Sequence, residues 1–210
     1  GIAGDEGMKR TSQQATEKGA LAAINGTYYN MVTGNSVCFY KINDQVLDTT
    51  TNGEFKSRVN GAIREVKGNI EIIDWNKEIE ANYKKNKGTV LASGPIMVDN
   101  GRISDWSKCD KKFIETRHPR SAIFTKKNGT IVFLTVDGRS EGNAAGMSIP
   151  ELAYLAKILG AEDAINLDGG GSTTLWLKGA PENGVLNYPS DNKRFDHKGE
   201  RSVSNIFYVK

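Results

Sequence analysis

Histidine and cysteine are scarce in this chain, with two of each among 210 residues. His118 and His197 are isolated, and Cys38 and Cys109 lie far apart with no histidine beside either. No group therefore has the ligand set or spacing of a zinc site, and neither thiol sits where a nucleophilic cysteine would. A single Cys38–Cys109 disulfide and two inert thiols both fit, the second more simply. No apolar run approaches the length of a membrane span. Neither sign of charge dominates: 28 Lys and Arg face 25 Asp and Glu, a net +3, and the basic residues are scattered. That balance is too mild for a nucleic-acid surface but suits a weakly basic cleft for an anionic small molecule. The Gly-Lys-Ser/Thr of a phosphate loop, a dinucleotide fingerprint opening a long helix, and the Gly-x-Ser-x-Gly elbow of serine hydrolases are all missing. No leader is visible, and residues 1–7 read as a loop. The expectation is a chain whose upstream residues and signal peptide have been removed.

What is present supports a packed core. Hydrophobic residues make up 38% and charged residues 25% of the chain, and no repeat or Pro/Ser-rich linker divides it. We therefore expect one domain over 1–210, with a loop or trimmed start at 1–17. A short Ala-rich helix within 16–24 runs into a strand. A strand at 37–42 turns at Asn43-Asp44 into 45–47. Residues 49–88 are polar, with strand-like pieces such as 70–73 and a Lys/Asn-rich loop at 82–88. Strands follow at 89–92 and 96–98. Segments 121–125 and 130–136 flank Asn128-Gly129, a hairpin signal. Ser148 and Glu151 form a capping box for a helix over 149–159, which Gly160 ends. Strands at 164–167, 173–178 and 206–209 complete the chain. The fold class is α/β or α+β: a single domain with a mixed β-sheet core, flanking helices and a cleft at the strand ends.

Segments 131–136, 149–159 and 164–167 have the order of a strand–crossover–strand unit. If the two strands share a sheet, they run parallel and end along one edge. Asp137 and Asp168 then face one crevice, the position that ligands favour in such sheets. Asp168 opens the run Asp168-Gly169-Gly170-Gly171-Ser172-Thr173. Three consecutive glycines cost conformational entropy and mark a sharp turn or a close approach to the backbone. With hydroxyls behind and a carboxylate in front, the run reads as an anion cradle, against the plainer reading of a tight hairpin. Two carboxylates across a cleft can serve a glycosidic bond as acid, base or nucleophile, or can hold a divalent cation. Arg139, Arg120 and Arg201 each enter or leave a strand and offer the planar fork that suits phosphate. Asn25 ends an apolar run and can present its amide to the same crevice.

These residues carry a resemblance. Ala20–Asn30, Ala92-Ser93-Gly94-Pro95, His118-Pro119-Arg120-Ser121-Ala122, Val136-Asp137-Gly138-Arg139-Ser140, Asn166–Ser172 and Arg201–Asn205 stand in an order that resembles the phosphodiester glycosidase family, over about residues 18–210. Segment 41–88 matches little and reads as variable within the family. Thr27 and Ser202 stand where the family usually has glycine and proline. The resemblance implies cleavage of the sugar C1–O bond of a sugar-1-phosphodiester, such as a GlcNAc-1-phospho-sugar, giving free sugar and a phosphate monoester. It implies Asp168, Asp137 and Arg139 as catalytic residues, with the two aspartate roles unassigned. It implies Asn25, Arg120, Ser140, Gly169, Gly170, Gly171, Ser172, Thr173, Arg201 and Asn205 as the substrate-binding set. No metal or other cofactor is expected. The partner is a phosphate-containing glycan, not nucleic acid, and the location is extracytoplasmic.

Two other readings compete. A carbohydrate-binding or cell-envelope module without turnover would need exposed aromatic platforms, for which Trp75, Trp106 and Trp176 are the candidates. A metal-dependent phosphodiesterase would use Asp137 and Asp168 as ligands, and the shortage of histidine weighs against it.

Overall fold

A computed structural model of the chain describes residues 1–4, 6–42, 45–83 and 88–210. The expected turn at Asn43-Asp44 and most of the 82–88 loop lie outside the described residues.

The Arg120–Thr125 and Ile131–Val136 strands pair antiparallel across the Asn-Gly turn. The Asp163–Asn166 strand pairs with the other side of Arg120–Thr125, again antiparallel, and Ile96–Asp99 and Arg102–Ile103 extend the sheet. Ile131–Val136 and Asp163–Asn166 thus run in the same direction within one sheet, as expected, but a third strand separates them. Every ladder among the described residues is antiparallel, which makes the mixed architecture α+β. The Ile149–Ile158 helix begins at Ser148, whose capping box with Glu151 is complete. Its buried face, Ile149, Leu152, Ala153 and Ala156, packs on Met97, Val98, Ala122, Phe124 and Ala164 of the sheet.

The opposite face of that sheet meets a second one. Ile96, Ile123 and Ile165 pack against Tyr40, Ile63 and Leu91. These come from a five-stranded sheet built from Tyr40–Ile42, Gln45–Asp48, Gly61–Val66, Asn69–Asp74 and Thr89–Ser93. The polar region 49–88 is therefore more ordered than its composition suggests: it supplies two full strands and the short helices Asn52–Ser57 and Lys77–Ala81. Ile24 and Phe207 join the same core from a third sheet, in which Ile2–Ala3, Ile206–Val209, Ala22–Asn25 and Leu175–Leu177 lie side by side.

The start of the chain is a correction to the sequence reading. Ile2–Ala3 pairs with Ile206–Val209, and Thr11–Glu17 is a helix that ends where a helix was expected to begin. The helix is written Thr-Ser-Gln-Gln-Ala-Thr-Glu and buries only Thr11, Gln14 and Ala15. So narrow an apolar contact leaves no amphipathic signature to read. Both cysteines are free thiols. No helix is long and apolar enough to cross a membrane among the described residues.

Candidate active site

One edge of the Arg120–Thr125 sheet gathers most of the chemistry. Arg120 begins its strand, Arg139 follows Ile131–Val136, and Asp168 follows Asp163–Asn166. Because Arg120–Thr125 runs antiparallel to its neighbours, its start lies beside their ends. A pocket of about 230 Å³ opens there, lined by Asp168 and the 169–171 glycines, by Arg58, Arg120, Arg139 and Arg201, and by Tyr28 and His118 among others. Four guanidinium groups thus surround one carboxylate.

Asp168 is fixed through its backbone and its side chain. Its N–H donates to Gly26 O at 3.0 Å, and its carbonyl accepts from Asn25 Nδ2 at 2.7 Å. Its Oδ1 accepts from the Gly169 N–H at 2.9 Å. Burial raises the carboxyl pKa above the usual aspartate value, opposed by the Ser172 hydroxyl, the Arg58 charge, the Gly169 N–H and Arg201.

The arginines differ in how far they are committed. Arg58 holds Glu54 with two bonds, Nε to Oε2 at 2.7 Å and Nη2 to Oε1 at 2.9 Å, and lies 3.6 Å over the Tyr28 ring. Burial works against its charge, but Glu54, Tyr28 and Asp168 together keep its pKa above the ordinary arginine value. Arg201 donates from Nε to Asp191 Oδ1 at 2.8 Å and pairs with it through Nη2 as well. Arg120, only 2% exposed, donates to three backbone carbonyls: Met147 at 2.9 Å, Phe113 at 3.0 Å and Thr116 at 2.7 Å. Burial, aided by the Arg58 and Arg139 charges, pushes its pKa down to about 10, so it stays protonated at neutral pH. Arg139 is exposed and makes no ion pair among the described residues; its Nη2 lies 3.5 Å from His118 Nδ1. It is the guanidinium most available to a ligand. Its backbone sits at φ +57°, a left-handed position that costs a side-chain-bearing residue about 1 kcal/mol or more. Burial, Arg120 and Arg139 lower the His118 pKa, which keeps the ring neutral near pH 7.

The three glycines, read in the sequence as an anion cradle, line the pocket and lie close against neighbouring groups of the same chain. A Cβ on Gly169 would lie 2.5 Å from Pro119 O, one on Gly170 would lie 2.8 Å from Arg139 Nη1, and one on Gly171 would lie 2.6 Å from Arg201 Nη2. Gly170 also has φ +60°. The run is a bare floor on which two guanidinium groups rest. The N–H groups of Gly169, Gly170, Ser172 and Thr173 are already given to Asp168 Oδ1, Pro119 O, Gly169 O and Gly170 O.

Several expected site residues lie outside the pocket lining. Asp137 follows Ile131–Val136 on the same edge, and its Oδ1 accepts from Asn187 Nδ2 at 3.0 Å and the Tyr188 N–H at 2.9 Å. The inserted strand separates the two aspartate-bearing strand ends by two inter-strand steps, roughly 9–10 Å, and residues 187–188 cap Asp137. Asp137 is thus absent from the lining of this pocket, in which Asp168 is the carboxylate. Asn25 is fully buried: its Oδ1 accepts from Ser121 Oγ at 2.6 Å and Thr174 N at 3.1 Å while its amide holds Asp168. Asn205 is also buried, its Oδ1 accepting from Thr27 N at 2.8 Å. Asn25 thus holds the Asp168 backbone and Asn205 the Thr27 backbone. Ser172 and Thr173 are buried in the turn itself, and Ser140 closes a small turn with Ala144. Arg58, Tyr28 and His118 line the pocket without having been chosen as site residues. His118 adjoins Arg120 in a quoted motif, whereas Arg58 comes from the region set aside as variable. Among the described residues no group of three or more His, Cys, Asp and Glu could hold a metal ion.

Comparison with known proteins adds to this geometry. A family model described as phosphodiester glycosidase matches residues 18–210. The chain is 27% identical over 193 residues to N-acetylglucosamine-1-phosphodiester alpha-N-acetylglucosaminidase of Mus musculus, covering 84% of this chain and 35% of that protein. The Homo sapiens protein of the same name is 27% identical over 206 residues, 91% of this chain and 38% of its own. The chain spans little more than a third of the length of these curated relatives. Among solved structures, the zebrafish N-acetylglucosamine-1-phosphodiester alpha-N-acetylglucosaminidase catalytic domain, auto-inhibited by its pro-peptide, superposes with a TM-score of 0.74 at 21% identity, over 96% of this chain and 67% of that one. A Synechocystis protein superposes with a TM-score of 0.63 at 18% identity, over 99% and 56% of the two chains. Matched over residues 18–210, the chain belongs to the phosphodiester glycosidase family.

Proposed function

We propose that this protein hydrolyses the sugar C1–O bond of a sugar-1-phosphodiester, releasing free sugar and a phosphate monoester. The observation that carries the reading is the pocket's composition: one carboxylate, Asp168, walled by Arg58, Arg120, Arg139 and Arg201. An ordinary glycoside departs as an alkoxide and needs an acid to protonate it, hence the usual pair of carboxyl groups. A phosphate monoester is already a stable anion and needs positive charge instead of a proton. A single carboxylate among guanidinium groups fits that demand.

In this reading Asp168 is the negative group beside C1 and stabilises or attacks the oxocarbenium-like centre as the bond to the phosphate oxygen breaks. The electron pair of that bond leaves with the phosphate, whose charge rises from one toward two. Arg139, with its uncommitted fork, takes the developing charge, and Arg120 adds a fixed positive field. Arg58 and Arg201, each already tied to a carboxylate, shape the wall. A water molecule supplies hydroxide to C1 and its proton passes to solvent or phosphate. We further propose that the substrate is a phosphate-containing glycan met outside the cytoplasm.

The direct test incubates the protein with the methyl phosphodiester of GlcNAc-1-phosphate. Free GlcNAc and methyl phosphate are the expected products. Binding without turnover would support a carbohydrate-binding module. GlcNAc-1-phosphate and methanol, formed in a chelator-sensitive reaction, would support a metal-dependent phosphodiesterase.

A further inference from the structure

The tryptophans expected as sugar platforms are used elsewhere: Trp75 and Trp176 are buried in the cores, and half-buried Trp106 donates from Nε1 to Ile96 O at 2.8 Å. Beside the pocket a different aromatic group stands in the open. The Tyr188 and Phe195 rings lie 4.0 Å apart and 6° from parallel, and the His197 ring packs on Tyr188 at 4.3 Å. Phe195 is the exposed member, at 40%.

We propose that this stack is a saccharide platform that takes a pyranose ring of the glycan bearing the phosphodiester. Three observations support it. First, the stack is built into its loop. Asp196 Oδ1 accepts from Asn192 Nδ2 at 2.8 Å and Lys198 N at 2.9 Å, Arg194 N donates to Asn192 Oδ1 at 3.0 Å, and His197 Nδ1 lies 2.8 Å from Asn187 O. A loop so cross-linked presents the ring ready-made, which lowers the ordering cost of binding. Second, the start of the loop is tied to the wall of the pocket. Tyr188 N is bonded to Asp137, two residues before Arg139, and Asp191 is paired with Arg201. Third, the chemistry matches one ligand class. A pyranose has an apolar C–H face that lies well on an aromatic ring, whose face is negative, and a rim of hydroxyls. Exposed Lys193 and Arg194 next to Phe195 supply hydrogen-bond donors for that rim.

The link of this platform to catalysis rests on the phosphodiester reading of the pocket, so the test measures binding apart from turnover. In an Asp168→Asn background, titration calorimetry compares two probes: the methyl diester of GlcNAc-1-phosphate, and the same phosphate esterified to the primary hydroxyl of a methyl hexopyranoside. Phe195→Ala should weaken binding of the sugar-extended diester about tenfold relative to the methyl diester, and Phe195→Trp should restore it. Equal effects on both probes, no effect on either, or failure of the sugar-extended probe to bind would overturn the platform. Phe195-dependent binding together with no hydrolysis by the wild-type chain would refute the glycosidase reading and leave the platform standing.

Discussion

Gly170→Ala separates the catalytic use of the glycine floor from its contribution to stability. Gly170 sits at φ +60°, and a Cβ there would lie 2.8, 2.9 and 3.0 Å from Nη1, Nη2 and Cζ of Arg139. Holding alanine in a left-handed conformation costs about 1–2 kcal/mol. The steric conflict itself is relieved by moving the end of a flexible, exposed side chain, so it adds little to that figure. In a domain of this size the melting temperature should fall by about 2–8 °C. The rate should suffer more. A displaced Arg139 no longer meets the charge that grows on the departing phosphate, and losing one preorganised donor costs about 10²-fold, close to 2.7 kcal/mol. Turnover of the methyl diester and thermal melts of Gly170→Ala, Arg139→Ala and the double variant provide the assay. The two single variants should lose kcat/KM to a similar degree, and the double variant should be no slower than Arg139→Ala, because both changes remove the same interaction. Retention of the wild-type rate by Gly170→Ala, or losses that multiply in the double variant, would show that Gly170 does not seat Arg139.

Three further outcomes follow from the geometry. Asp168→Asn should abolish turnover while folding normally. Because burial raises the Asp168 pKa, the folded state holds that proton more tightly than the unfolded chain, so wild-type stability falls as pH rises from about 3.9 through the raised value and is level above it. The variant's advantage in thermal melts should therefore be largest near pH 7 and shrink in acid; an advantage that grows in acid would contradict the assignment. Asp137→Asn keeps an Oδ1 able to accept from Asn187 and Tyr188, so turnover should stay within about threefold of wild type, and a loss as deep as that of Asp168→Asn would restore Asp137 to the chemistry. Arg120→Ala leaves the carbonyls of Met147, Phe113 and Thr116 without their donor and should cost about 3 kcal/mol or more in denaturant unfolding, whereas an unchanged midpoint would show that the guanidinium does not hold these segments.

What the sequence made legible was local. The Asn128-Gly129 hairpin, the Ser148–Glu151 capping box, the strand leading into Asp168 and the arginines at strand ends each follow from rules that act within a few residues. What it concealed was non-local. Nothing in Ile131–Val136 or Asp163–Asn166 indicates that Arg120–Thr125 pairs between them. Arg58 lies in a polar stretch and reaches the pocket only because the Asn52–Ser57 helix ends beside Tyr28. The glycine run was recognisable as a place of close approach, but an approaching guanidinium from the same chain and an approaching anion leave the same mark in sequence. The Tyr188–Phe195 stack depends on a loop closed by Asn192, Asp196 and Gly199, with no periodic pattern to reveal it.

The central claim is that the bond broken joins sugar to oxygen and not oxygen to phosphorus. Hydrolysis of the methyl diester of GlcNAc-1-phosphate in ¹⁸O-water, followed by mass spectrometry of both products, tests it directly. Label in GlcNAc, from a quench rapid enough to precede exchange at its anomeric hydroxyl, with methyl phosphate unlabelled, is the predicted result. Label in a phosphate product, with GlcNAc unlabelled, would contradict the account.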